Sequence, residues 1–89
     1  MTRYRQKEGI SATEVDDDIF LVEPRTEEVF HLNPMAAGIW RALAEPASRE
    51  EIVFLLRAAF PEGDDATFAR DAAATLDRLL AEGFVVSVP

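Results

Sequence analysis

His31 is the one histidine of this 89-residue chain, and it stands two residues before Asn33-Pro34. An imidazole can accept a phosphoryl group or ligate a metal, but either task needs companion groups. The chain has no cysteine and no second histidine, so no ligand set with usable spacing forms. Ser11, Ser48 and Ser87 have no neighbouring base to activate a hydroxyl. The four glycines are scattered and make no phosphate-cradling loop. Carboxylates are plentiful, but a run such as Asp16-Asp17-Asp18 has the composition of a solvated turn. The expectation is therefore no catalytic residue, no metal and no cofactor. Function has to come from a surface that binds.

The elements that would build such a surface can be read in order. Residues 1–9 are polar and carry three of the nine basic residues, which predicts a loose N-terminal arm. Residues 10–89 are expected to form a single domain. Ile10 to Val15 alternates apolar and polar positions and suits a short first strand. Ile19-Phe20-Leu21-Val22 is the clearest strand, an apolar run bounded by turn residues. Pro24 lies in a turn, and Glu28 to Leu32 returns as the antiparallel partner. Asn33 then caps a first helix that opens on Pro34 and runs to about Ala44, where Glu45-Pro46 breaks it. Ser48 and Glu51 form a capping box for a second helix. A third helix runs from about Asp65 to Glu82 and stops at Gly83. Phe84 to Val88 is a last β-type run, either a closing strand or a packed tail. The fold class is thus α+β, with an N-terminal three-stranded antiparallel sheet followed by a three-helix bundle. Its second and third helices read as a helix-turn-helix pair.

On a wheel at ~100° per residue, the third helix has three sectors. Phe68, Leu79, Ala72, Leu76, Ala69, Leu80 and Ala73 fill a core arc of roughly 140°. Thr67, Asp71, Thr75, Arg78 and Glu82 make a polar sector. Ala66, Arg70, Ala74, Asp77 and Ala81 make a third, lined by small residues that let another chain come close. If Glu28–Leu32 is an edge strand facing this helix, a groove forms with backbone hydrogen-bonding groups on one wall. That is the geometry of recognition by strand addition. The candidate contact residues are Glu28, Val29, Phe30, His31 and Leu32 on the strand. On the helix they are Ala66, Arg70, Ala73, Ala74, Asp77 and Ala81. An exposed edge can also pair with its own copy, so a homodimer is a further expectation.

Net charge is −8, which argues against general nucleic-acid binding and against anionic membranes. No apolar run approaches spanning length, and the N-terminus has no apolar signal region, so a cytoplasmic protein is expected.

From Phe20-Leu21-Val22 through Leu32-Asn33, Ala36-Ala37 and Ile39-Trp40, the sequence resembles the PqqD family. Ser48-Arg49-Glu50-Glu51-Ile52, then Asp71 with Leu76, Leu79 and Leu80, and Glu82-Gly83-Phe84-Val85 continue the match. It covers about Val15 to Val88 and departs at Glu45-Pro46-Ala47, where the family often has an Asp-Gly step. It does not single out the pyrroloquinoline quinone (PQQ) branch. The resemblance implies a winged-helix-like fold that is not an enzyme. It implies binding of the leader of a ribosomally made precursor peptide, as a strand added to Glu28–Leu32 against the third helix. It also implies a modifying enzyme as partner, often a radical SAM enzyme. The alternatives are a winged-helix DNA-binding regulator and a small interaction subunit of an unrelated complex. The four aspartates at 64, 65, 71 and 77 weigh against the first.

Overall fold

The computed structural model describes residues 2–89, and Met1 lies outside them. The elements are β1 (Arg3–Gln6), β2 (Ser11–Val15), β3 (Asp18–Glu23), β4 (Glu28–Leu32), α1 (Pro34–Ala42), α2 (Arg49–Ala59), α3 (Asp65–Ala81) and β5 (Val85–Val88). The class is α+β, as expected, but the strands form two antiparallel sheets. One is β2-β3-β4 and the other is β1-β5.

The second sheet corrects the expectation of a loose arm. Arg3 to Gln6 pairs with Val88 to Val85. On its other side, Tyr4 exchanges two backbone hydrogen bonds with Ala47, at 2.8 and 2.9 Å. The Tyr4 ring is only 8% exposed. Gln6 completes the end of α1: its backbone N–H donates to the Leu43 carbonyl, and its side-chain amide donates to the Trp40 carbonyl. The last carbonyls of a helix have no partner within it, so a chain that supplies donors there is held in place. One buried ring and this set of backbone bonds order a segment whose composition is otherwise that of a tail.

The helix starts follow local sequence. The Asn33 side chain accepts from the Ala36 N–H at 2.9 Å, with Pro34 in the first turn. Ser48 and Glu51 bond reciprocally as a capping box. Asp64 caps α3 by accepting from the Ala66 N–H. Gly83 adopts φ +80° just beyond the last turn of α3, where a left-handed residue lets the chain reverse into β5. Helix α1 ends at Ala42, two residues earlier than expected, and its C-cap Leu43 is fully buried.

The core lies between the inner face of β3 and β4 and the three helices, while every residue of β2 is exposed. Ile19, Leu21 and Leu32 meet Ile39, Trp40, Leu56, Phe68, Leu76 and Leu79 there. Phe84 and Val85 close it from the β5 side. Two residues on the hairpin turns are left-handed, Asp16 at φ 56° and Glu27 at φ 62°.

Candidate functional site

Strand β4 is an outer strand of its sheet. It pairs with β3 from Ile19↔Leu32 to Glu23↔Glu28, and among the described residues no strand pairs with its other side. In an antiparallel ladder alternate residues direct their N–H and C=O away from the partner. Part of the backbone from Glu28 to Leu32 therefore has its hydrogen-bonding groups directed outward.

The side chains of β4 alternate. Leu32 and Phe30 point inward, Leu32 into the core and Phe30 against Phe84, with ring centres 5.4 Å apart. Val29 and His31 point outward. Val29 is 64% exposed. The His31 Nε2 lies 2.6 Å from Asp18 Oδ2, and its ring packs 4.9 Å from the Phe20 ring. His31 is thus committed to a cross-strand contact on the open face of the sheet.

Helix α3 runs beside this edge. A cleft of about 270 Å³ separates them, with Phe30, His31 and Leu32 on one side and Thr75 and Arg78 on the other. Asn33 and Ala36 close its end at the start of α1. A second cleft of about 240 Å³ shares Asn33 and Thr75 with the first and adds Met35, Asp71 and Ala74. The Arg78 guanidinium lies over the Phe30 ring, 4.9 Å from its centre.

The helix wall is therefore made by the polar sector of the wheel, Asp71, Thr75 and Arg78, with Ala74 at its rim. The residues bordering the clefts differ from the expected helix set. Of the six helix residues expected there, Ala74 is in the wall. Ala73 lies on the opposite flank, in a hollow it shares with Ala69 and with Arg49, Val53 and Arg57 of α2. Asp77 accepts a 3.0 Å hydrogen bond from Arg49 of α2, and this bond is the main cause that raises the Arg49 pKa. Ala66 and Ala81 are exposed and border neither cleft, and exposed Arg70 lies 3.8 Å from Asp71. Of the small residues expected there, only Ala73 borders α2. The wheel separates two flanks of the core arc but does not say which one meets the sheet. The order of elements carries the missing signal. A helix joined to α3 by the short Phe60–Asp64 turn claims one flank, which leaves the other for β4.

Among the described residues no group of three or more His, Cys, Asp or Glu could hold a metal ion. Among the same residues no helix is long and apolar enough to cross a membrane. What this geometry offers is a ladder edge, an apolar floor and a polar helix wall.

The family described as "Coenzyme PQQ synthesis protein D (PqqD)" matches residues 18–85, from β3 to the start of β5. The chain belongs to the PqqD family. Among solved structures, it is similar to one described as "TbiB1 in Complex with the TbiA(beta) Leader Peptide". The two share 26% identity and a TM-score of 0.78, over 91% of this chain and 93% of that one. A second, "Lasso peptide synthetase B1 complexed with the leader peptide", also shares 26% identity. Its TM-score is 0.77, over 93% of this chain and 96% of that one. Among curated proteins none matches the chain significantly. In this PqqD family member the matched region holds β4, α3 and both clefts between them.

Proposed function

We propose that this PqqD family member is a non-catalytic recognition protein for the leader of a ribosomally made precursor peptide. The leader adds an antiparallel or parallel strand to β4 and lies in the cleft against α3. The observation that carries this reading is the open edge of β4 bordering a cleft with an apolar floor. Backbone bonds along Glu28–Leu32 supply affinity, and the cleft side chains supply specificity. The proposed contact set is Glu28–Leu32 with Asp71, Ala74, Thr75 and Arg78. Membership in the family and likeness to two proteins solved with leader peptides support it.

The bound leader is presented to a separate modifying enzyme, and the encounter takes place in the cytoplasm. The hairpin and three helices are a variant of the winged-helix arrangement, turned to peptide binding. A second copy adding to β4 would occupy the same edge, so self-association and leader binding compete.

The test is a backbone-amide NMR titration with the short peptides encoded beside this gene. Shifts at Glu28–Leu32 and along Asp71–Arg78 are expected with one of them. Saturating shifts elsewhere, or none with any neighbouring peptide, would overturn the assignment.

A further inference from the structure

Strand addition has a register problem. Backbone groups repeat every residue, so hydrogen bonding alone accepts a peptide at several offsets. A slip by two residues even preserves which side chains face the cleft. Some side chain of the cleft has to choose.

Arg78 is placed to do so. The chain is strongly acidic, and six of its nine Lys and Arg residues stand within ion-pair distance of a carboxylate. Of the rest, Arg5 donates to the Gln6 carbonyl, and Arg25 lies in the turn beside Glu23. Arg78 has no carboxylate within 4.0 Å among the described residues. It is also the cation that stacks on an aromatic ring in the wall of the cleft. The stack holds a planar fork of donors, suited to grip a carboxylate at two points, beside the open edge. Asp71 stands two turns earlier on the same side of α3, about 10 Å along the helix axis. A two-residue slip of a strand is about 7 Å. Such a slip toward Asn33 carries an acidic side chain from the cation at Arg78 toward the anion at Asp71.

We propose that Arg78 is a specificity-determining residue that selects peptides with an Asp or Glu side chain over Phe30, and thereby sets the register of the added strand. This rests on the strand-addition reading above. The carboxylate pairs with the guanidinium, and Asp71 repels the same group in the slipped register.

A displayed library of random short peptides tests this without knowledge of the natural leader. Selection against the wild-type protein is compared with selection against Arg78→Glu and Arg78→Gln, both verified as folded by their amide spectra. Binders that lose affinity for Ala74→Arg are kept as cleft-bound. These are expected to be enriched in Asp or Glu at one fixed position, to switch to Lys or Arg there with Arg78→Glu, and to lose the preference with Arg78→Gln. Wild-type binders should bind Arg78→Gln about tenfold to hundredfold more weakly, the range for a hydrogen bond between charged groups. Cleft-bound peptides with the same preferences for all three proteins would overturn the role of Arg78 and leave strand addition standing. A library yielding no cleft-bound peptide would overturn both.

Discussion

The guanidinium of Arg78 lies 4.9 Å from the centre of the Phe30 ring, joining the third helix to the outer strand of the sheet across a cleft. Phe30 rests in turn on Phe84, 5.4 Å between ring centres. One aromatic ring therefore serves as both the floor of the cleft and a bridge to the core. Phe30→Leu keeps an apolar floor but removes both aromatic contacts. It should lower stability by about 1 kcal/mol, measured by urea denaturation. An unchanged midpoint would mean that neither contact persists in solution.

Ala74 stands at the rim of the second cleft and is exposed. Ala74→Arg places a long cation where a peptide would pass. Stability should change by less than about 0.5 kcal/mol, as for most surface substitutions. Binding of the precursor peptide should fall at least tenfold by calorimetry, while Ala58→Arg, on the exposed surface of α2, leaves it unchanged. Equal binding by Ala74→Arg and wild type would move the site away from this cleft.

Two glycines give opposite expectations for the same substitution. A Cβ on Gly38 would sit 3.7 Å from both Leu56 Cδ2 and Phe60 Cε2, an ordinary contact inside α1. Gly38→Ala should therefore raise stability by about 0.5–1 kcal/mol through helix propensity. A Cβ on Gly63 would fall 2.0 Å from Phe68 Cζ, and that ring is 2% exposed in the core. Gly63→Ala must displace it and should cost about 1–3 kcal/mol. Thermal melts of the two variants should move in opposite directions.

Acid should weaken the start of α2. The Ser48 backbone N–H donates to the Glu51 carboxylate, the main cause holding that group below its usual value of 4.5, and the Ser48 hydroxyl adds to it. A carboxyl lowered on folding contributes stability that is present above 4.5 and is lost as pH falls through its lower native value. Glu51→Ala should therefore flatten the fall in stability between neutral pH and about pH 3, followed by denaturation at each pH. A slope identical to that of the wild type would show that the box does not survive in solution.

Much of the fold is legible in the chain because its signals are local. The Asn33-Pro34 step, the Ser48/Glu51 box, Asp64 and Gly83 each act within one helical turn, and the boundaries they predict hold to within two or three residues. The run Ile19–Val22 and its return at Glu28–Leu32 pair as expected, since a short turn leaves a hairpin few alternatives. The N-terminal strand was hidden because nothing in Arg3–Gln6 resembles a strand of the core. Its order comes from β5 and from Ala47, more than 40 residues away.

The sequence by itself determined the elements other than β1, the α+β class, the edge strand as the candidate binding element and the resemblance to the PqqD family. Only the tertiary structure decided which flank of α3 the strand faces. Both flanks of the core arc are equally eligible on a wheel, because periodicity records which residues are buried and not what lies beside them. The placement of α2 along the Ala69 and Ala73 flank of α3 removes that symmetry. It turns Asp71, Thr75 and Arg78 toward β4, and so a sector that reads as plain solvent-facing surface becomes the wall of the cleft.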